Sequence, residues 1–317
     1  MARYILRRVA AFIPALIISS IFIFFMVRLT GADPITSLQG TQRLSEESRI
    51  ALTREFHLDK SLAEQYFIWI GGMLRGKFPV SFKYRQPVDR LIASRLPTTL
   101  QLVGMSFIFA VFFAITIGLI CAANKNKAVD RILSAVLVLF ASTPSFLLAI
   151  VLMLVFSLKL GWFPSFGAGH NFRENLYYLL LPSLSLGAAM MSLMGRVTRS
   201  RMIEELGADY VCAEIAKGTP RHVIMFRHCL KGVLIPVVTI GGLQLGGAIV
   251  GAVMVESVFA LGGIGDLLIA GIKSADYPIV QSIVILMTML FLFLNLVVDI
   301  AYTALDPRIR AERITSQ

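Results

Sequence analysis

The stretch "VAAFIPALIISSIFIFFMV", residues 9–27, contains nineteen consecutive residues without a charge. A helix needs about 20 apolar residues to cross the hydrocarbon core of a bilayer, so this stretch is long enough to span a membrane. It follows Arg3, Arg7 and Arg8, as the hydrophobic region of a signal peptide would. It is longer than such a region usually is, however, and no A-x-A-like cleavage site follows it. We therefore predict an uncleaved membrane anchor.

The composition of the whole chain agrees with a membrane protein. Apolar residues make up 56% and charged residues 15% of the 317 residues, and the mean hydropathy is +0.76. Soluble domains are less apolar and more charged than this. The formal net charge of +11 would suggest nucleic acid in a soluble protein, but membrane proteins collect Lys and Arg on their cytoplasmic loops. We predict a lipid bilayer as the surroundings and no nucleic-acid partner.

Five further apolar stretches are long enough to span a bilayer. Charged residues, or Gly and Pro, bound each of them, and they lie at residues 96–123, 132–158, 176–195, 233–256 and 279–302. Pro144 lies inside the second of these five stretches and should kink that helix. The predicted fold class is an all-α integral membrane protein with six transmembrane helices.

The basic residues predict the orientation of these spans. With the N-terminus inside, the inner segments hold sixteen Lys and Arg residues and the two short outer loops hold three. The inner segments are residues 1–8, 124–131, 196–232 and 303–317. The outer loops are residues 159–175 and 257–278. The remaining eleven Lys and Arg residues lie between Arg28 and Arg95. This outer segment is longer than the roughly 60 residues over which the positive-inside rule holds. We predict that both termini face the cytoplasm.

The first outer segment, residues 31–95, is too polar for a span and too rich in periodic apolar residues for a simple linker. "SEESRIALTREFHL" begins with a plausible N-cap, Ser45, and has acids in the first turn. "SLAEQYFIWIGGML" spaces its apolar residues at helical intervals. We predict two short amphipathic helices, and two uses remain open: a lid packed on the protein's own spans or the membrane interface, or a docking surface for an outside partner.

Reactive groups are scarce. "GGMLRGK", residues 71–77, matches the phosphate-binding pattern GxxxxGK, but Phe78 stands where a magnesium-ligating hydroxyl is needed. The three cysteines and four histidines have no spacing typical of a disulfide framework or a metal site, and no Ser-His-Asp, Cys-His or paired-carboxylate set emerges. We predict that the chain is not an enzyme and itself binds no metal or cofactor.

The spans contain almost no ionisable residue near mid-membrane, which disfavours a proton-coupled carrier. Asp299, about one helical turn from the inner end of the last span, is expected to pair with an interfacial arginine such as Arg7 or Arg8. Milder polar side chains could line a water-filled path or form hydrogen bonds between helices. The candidates for a path are Ser142, Thr143, Ser192, Gln244 and Asn295.

The long inner loop, residues 196–232, interrupts the apolar chain with polar, basic sequence. "RSRMIEELGADYVCAEIAKG" should be helical, with Gly218 as the glycine that follows the helix end. Thr219 and Pro220 are predicted as the N-cap and first residue of a second helix. The loop is thus predicted to hold a helix, a sharp turn and another helix.

The sequence around this turn, "ADYVCAEIAKGTPRHVIMFRHCLKGVLIPVVT", resembles the EAA loop of ABC importer permeases in the dipeptide, oligopeptide and nickel group. Further similar stretches follow the family's order along nearly the entire chain, including "TGADP", "QPVDRLIASRLPTTLQL", "ESVFALGGIG" and "NLVVDIAYTALDPRIR". The resemblance implies a type I importer permease fold in three parts. These are residues 1–95 with the first helix and the outer segment, residues 96–305 as the five-helix core, and a cytoplasmic tail at residues 306–317.

The resemblance also implies a coupling role for the inner loop. The loop would seat a short helix and its turn in a groove of a cytoplasmic ATPase, with Gly218 at the turn and Ala213 and Ala216 on the contact face. The implied coupling residues are Asp209, Tyr210, Ala213, Glu214, Ala216, Lys217 and Gly218.

The loop departs from the family pattern at four positions. Cys212 and Ile215 replace basic residues, and Glu214 replaces a small one. Gly232 replaces the asparagine before "LIPV".

The family's partners are a second homologous permease, one or two cytoplasmic ATPases that carry ATP and magnesium, and an extracytoplasmic solute-binding protein. The resemblance therefore implies a prokaryotic inner-membrane location. Peptides, glutathione, nickel or its chelates, and some sugars are all possible substrates, and the absence of a histidine cluster favours peptides. The alternative function is a secondary carrier or channel that works without an ATPase.

Overall fold

The computed structural model describes residues 2–29, 35, 45–169 and 171–305, with residues 2–9, 172 and 301–305 described by their backbone alone. The helices are α1 Ala2–Leu29, α2 Glu46–Glu55, α3 Leu62–Leu74, α4 Val88–Ala123, α5 Ala128–Ser142, α6 Ser145–Leu152, α7 Phe172–Leu206, α8 Asp209–Ala216, α9 Arg221–Val223, α10 Leu230–Phe259, α11 Ile264–Lys273 and α12 Tyr277–Leu305. Wider π-helical turns continue α6 through Met153–Lys159 and join α9 to α10 through Ile224–Cys229. Over the described residues the only β-structure is an isolated bridge between Val80 and Pro87, which confirms the all-α prediction.

Five described helical stretches are long and apolar enough to cross a membrane, and α5 with α6 makes a sixth if the pair counts as one span. The five are Ala10–Leu29, Val88–Ala123, Arg173–Leu206, Arg221–Phe259 and Tyr277–Ile300. The predicted bend at Pro144 is present, but it is a break of 109° rather than a kink. Because proline disfavours helical geometry in the residue before it, Thr143 is extended (φ −94°, ψ 122°) and α5 ends one residue earlier.

Three predictions fall outside the described part of the chain. The "TGADP" element at residues 30–34 and the tail at residues 306–317 are not described, and neither are the side chains of Arg7 and Arg8, which were predicted to approach Asp299.

The chain divides into two compact units. The first unit contains the described residues up to Thr99 together with Gly262–Leu290, and the second contains Leu100–Leu261 with the described residues from Phe291 onward.

The first unit confirms the two short helices predicted in the outer segment. The side chain of Ser45 caps α2 by accepting a hydrogen bond from the Ser48 amide, and Ser61 and Glu64 form a reciprocal capping box at the start of α3. Helix α2 buries no side chain, so it is less amphipathic than predicted. Helix α3 buries Trp69, whose ring lies 5.7 Å from the ring of Phe24 on α1.

A buried carboxylate holds the segment after α3 to the start of α12 in the same unit. The Ser81 hydroxyl and the Lys83 amide donate to Asp276 Oδ2 at 2.6 and 2.9 Å, and the Ile279 amide donates to Oδ1 at 3.4 Å. Asp276 is fully buried. The residues next to these hydrogen-bonding groups in the sequence, Phe82 and Tyr277, pack together in one hydrophobic cluster. These contacts hold residues 81–83 of the outer segment on their own unit, and both uses of the segment, lid and docking surface, stay predictions.

The second unit is built around α7, which packs along α10 and against α5 and α6. A bidentate ion pair joins α5 to α7, with Arg199 Nε and Nη2 at 2.6 and 2.7 Å from the two carboxylate oxygens of Asp130. Asp130 is 2% exposed, and the Asn126 amide also donates to it at 3.0 Å. Such paired geometry satisfies the carboxylate that burial would otherwise destabilise.

Candidate functional site

The candidate coupling residues lie on α8 and the turn after it, which together with the flanking residues 207–208 and 219–220 we call the coupling segment. The single long helix predicted for "RSRMIEELGADYVCAEIAKG" is wrong, because α7 ends at Leu206 and α8 begins at Asp209. Gly207 caps α7, and Ala208 is extended (φ −77°, ψ 150°), so two residues separate the helices. This break makes α8 an independent eight-residue helix.

Helix α8 exposes most of its surface. Val211 is its one buried residue, whereas Ala213 and Ala216 are exposed and Ile215 is 61% exposed. Asp209 is an exposed acid in the first turn, where the helix dipole favours a negative charge. The described residues of this chain therefore leave these small and apolar side chains of α8 exposed, and another protein can contact them.

Gly218 forms the turn that the sequence predicted. Its φ is +80°, which glycine adopts without the strain that a Cβ brings. The Gly218 amide donates to the Ile215 carbonyl at 2.9 Å and the Thr219 amide to the Glu214 carbonyl at 3.1 Å. This pair of bonds is the Schellman motif, which ends the helix sharply.

Glu214 ties the turn together through its side chain. Lys217 Nζ donates to Glu214 Oε1 and Thr219 Oγ1 to Glu214 Oε2, both at 2.9 Å. Both hydrogen bonds lower the pKa of the Glu214 carboxyl below its usual value, and the bond from Lys217 has the larger effect. The predicted N-cap role of Thr219 is wrong because its hydroxyl bonds to Glu214 instead, and Pro220 (φ −60°, ψ 141°) takes the N-cap position.

Tyr210 anchors the start of α8 to the preceding helix. Its hydroxyl donates to Glu205 Oε2 at 2.5 Å and approaches the Cys229 sulfur at 3.6 Å. Partial burial of the hydroxyl and then its bond to the Glu205 carboxylate raise the pKa of the Tyr210 phenol well above its usual value. A Cβ at Gly232 would overlap the Glu205 carboxylate, so the glycine leaves room for the acid that holds Tyr210.

Sequence reasoning missed Glu205 and the Asp130–Arg199 pair. In the sequence, Arg199 entered only the count of basic residues that predicts the orientation, and Glu205 entered only as one residue of a predicted helix. The departure at Gly232 from the pattern that the loop resembles was the available signal for a neighbour that needs space, but the sequence alone does not identify that neighbour.

The predicted pathway residues have different surroundings. Ser142 and Thr143 lie at the break before α6, and each donates its hydroxyl to a carbonyl one turn earlier, at 3.0 and 2.8 Å. Buried Ser192 on α7 donates to the Leu137 carbonyl on α5, which is an interhelical hydrogen bond. Gln244 on α10 and Asn295 on α12 are half-buried. Their use as a path stays a prediction.

His, Cys, Asp and Glu side chains are the ones that commonly hold metal ions in proteins. No group of three or more that could hold an ion occurs among the residues that the structure describes.

Comparison with known proteins places the fold and the family. Residues 114–311 match the family "Binding-protein-dependent transport system inner membrane component", and residues 1–103 match the N-terminal model of such membrane components. The MetNI methionine ABC transporter, solved in inward-facing conformations, has a chain with a TM-score of 0.57 and 17% identity, covering 68% of this chain and 96% of that one. This likeness supports the type I importer permease fold.

Full-length relatives share more of the sequence. The "Glutathione transport system permease protein GsiC" of Salmonella typhimurium (strain LT2) is 39% identical over 311 residues, which is 98% of this chain and 99% of the relative. The protein of that name from Escherichia coli (strain K12) is 36% identical over the same proportions. The chain therefore belongs to the family of binding-protein-dependent transport system inner-membrane components and is a multi-pass permease of an ABC importer.

Proposed function

We propose that this permease forms half of the translocation pathway of an importer for peptides, and that the coupling segment transmits the closure of a cytoplasmic ATPase to its spans. The observation that carries the proposal is the exposure of α8. An eight-residue helix with one buried side chain gains little from packing on its own chain, and short helices are marginal without such packing.

The attachment of α8 suits the transmission of force. The Schellman turn at Gly218 and the Glu214 contacts fix its end, and the Tyr210–Glu205 bond joins its start to the last turn of α7. Residues Arg221–Phe259 continue into a candidate span on the other side. A displacement of α8 would therefore move the candidate spans Arg173–Leu206 and Arg221–Phe259, because only short connections join them to α8.

The partners of the proposed importer are a second homologous permease and an extracytoplasmic binding protein. One or two ATPases would bind ATP and magnesium, and this chain would bind neither. Both termini and the coupling segment would face the cytoplasm, as the count of basic residues predicts.

Peptides are the proposed substrate class because the relatives are glutathione permeases and glutathione is a small peptide. Nickel is the weaker choice, since the described residues hold no cluster of three or more potential metal ligands. The binding protein would select the particular peptide.

Bulky replacement on the exposed face of α8 tests the coupling. Ala213→Trp should leave the amount of chain in the membrane unchanged, because Ala213 is exposed in this chain, but it should reduce peptide uptake to background. Ala51→Trp, at an exposed position of α2, is the matched control and should keep normal uptake. Uptake and substrate-stimulated ATP hydrolysis are measured in proteoliposomes that contain the complete transporter.

Two outcomes separate the proposal from its rivals. Normal uptake by Ala213→Trp would refute the assignment of the coupling face. Uptake by the wild-type chain alone, without ATP, would favour a secondary carrier or channel.

A further inference from the structure

A pocket of about 360 Å³ lies within the first unit. The end of α1, the end of α2, helix α3, the segment at residues 77–82 and the start of α12 form its walls. Its volume falls within the roughly 300–1,000 Å³ of sites that bind small molecules. The pocket has no part in the coupling segment, and nothing in the proposed coupling uses it.

Arg28 brings an incompletely bonded cation to the wall of this pocket. Its Nε and Nη2 atoms donate to Gln65 Oε1 at 3.0 and 2.8 Å, and Nη1 approaches the Phe24 carbonyl at 3.5 Å. A guanidinium has five N–H donors, so two remain without a partner among the residues that the structure describes. Its charge faces aromatic rings, with Cζ 3.7 Å from the ring centre of Phe24, and no carboxylate of the described residues pairs with it.

Two residues of the same lining carry a buried side-chain donor that has no partner in the described part of the chain. The donors are Nε1 of Trp69 and Nε2 of Gln281, whose residues are 9% and 2% exposed. A buried donor left unbonded costs about 1–3 kcal/mol, so native proteins rarely leave two in one place. Arg28, Trp69 and Gln281, which all line this pocket, therefore carry unsatisfied N–H groups of one kind.

The other lining residues indicate which kind of ligand supplies the hydrogen-bond acceptor. Lys77 adds a second cation, and Glu55, the one acid among the described lining residues, has its Oε1 3.8 Å from Arg85 Nη1. Phe56, Phe82 and the ring of Tyr277 contribute aromatic surface. A ligand that fits needs negatively charged oxygen atoms for the donors and an apolar group for the rings.

We propose that this pocket binds the carboxylate of a small solute that also carries an apolar or aromatic group. The guanidinium of Arg28 binds the carboxylate, and the Trp69 and Gln281 side chains donate further hydrogen bonds to it. The pocket is a ligand site of the outer segment, and it is separate from the proposed coupling function because it rests on none of the same residues.

The chain carries a reporter inside the pocket. It has two tryptophans, Trp69 in the lining and Trp162, which is 58% exposed and does not line the pocket. A full-length Trp162→Phe chain in lipid nanodiscs therefore reports on Trp69 alone. N-acetyl-phenylalanine is the probe, and its carboxamide, which has the same shape without the charge, is the control compound.

The expected result is a saturable change in Trp69 fluorescence with N-acetyl-phenylalanine and none with the carboxamide at equal concentrations. Arg28→Gln should weaken binding about tenfold or more, because it removes a charge-assisted hydrogen bond. Arg75→Gln, a neighbouring exposed arginine outside the lining, should bind like the parent chain. Gln281→Leu should weaken binding without changing any charge, which keeps the test valid if Arg28→Gln unfolds the chain.

Three results would overturn the proposal. They are the absence of saturable binding, equal binding of the carboxylate and the carboxamide, and unchanged affinity in both the Arg28→Gln and Gln281→Leu chains. Thermal unfolding of each variant, measured without probe, shows whether a loss of binding belongs to the pocket or to the fold.

Discussion

Helices α3 and α8 end in the same way and use their faces differently. Both end in a Schellman motif at a glycine with positive φ, Gly76 at +71° and Gly218 at +80°. Helix α3 packs Trp69 into its own unit, whereas α8 buries only Val211 and leaves Ile215 exposed. The same capping signals therefore end one helix that buries an aromatic side chain in its own unit and one whose single buried side chain is a valine. The contacts that a helix makes therefore do not follow from how it is capped.

The largest effect is expected at the buried face of α3. Trp69→Ala removes an aromatic side chain that packs against Phe24 and Ile285, and should lower the free energy of unfolding by about 3 kcal/mol. Ile215→Ala on α8 should change it by no more than about 0.5 kcal/mol, because Ile215 is exposed. Unfolding in mixed micelles of the isolated chain measures both. Similar losses in the two variants would mean that α8 is also packed on its own chain.

A smaller difference is expected between two aspartates. Asp276→Ala removes the acceptor for the Ser81 hydroxyl and the Lys83 amide and should destabilise the chain by about 2 kcal/mol. Asp209→Ala, at the exposed start of α8, should stay within about 0.5 kcal/mol of the parent. The same unfolding measurement applies. An undiminished stability of Asp276→Ala would contradict the account of a self-packed outer segment.

The paired glycines separate stability from function. Gly76→Ala and Gly218→Ala place a side chain at positive φ and should each cost about 1 kcal/mol of stability, since neither Cβ meets another atom within 4 Å. Uptake by the complete transporter should fall in Gly218→Ala and stay near normal in Gly76→Ala. If both variants lost uptake in proportion to stability, the turn after α8 would have no special part in coupling.

The smallest effect is a pH dependence at the coupling turn. Hydrogen bonds from Lys217 and Thr219 lower the pKa of Glu214 in the folded chain, so this contribution to stability is complete above the pKa of an unfolded glutamate. It is lost as the pH falls through the lowered pKa of the folded state. The Glu214→Gln chain should lack this part of the acid destabilisation when unfolding is followed from neutral to acidic pH. Identical pH profiles for the two chains would remove the side-chain tie from the account.

Local signals in the sequence predicted the ends of several elements. The Ser45 cap, the Pro144 break and the Gly218 turn each depend on residues within a few positions of one another. Hydropathy was sufficient to locate five long apolar helices in the described chain, because a candidate span needs one long apolar run, and the sixth predicted span is the pair broken at Pro144. These features need no knowledge of what packs against them.

Contacts between distant residues could not be predicted in this way. Arg199 bonds to Asp130 across 69 positions, and Ser81 to Asp276 across 195. The pocket combines Arg28, Trp69 and Gln281, which lie on three helices. Even the gap at residues 207–208 was missed, because the helical pattern on either side hides a two-residue interruption.

Cys212 gives the most direct test of the exposed face of α8. Of the three cysteines, it alone is exposed, and Cys121 and Cys229 are buried, so the unmodified chain carries one accessible thiol on the helix in question. The rate of maleimide labelling is measured for the isolated chain and for the complete transporter in nanodiscs. We expect fast labelling of Cys212 in the isolated chain and strong protection when the ATPase is bound. Equal labelling rates with and without the ATPase would contradict docking on α8.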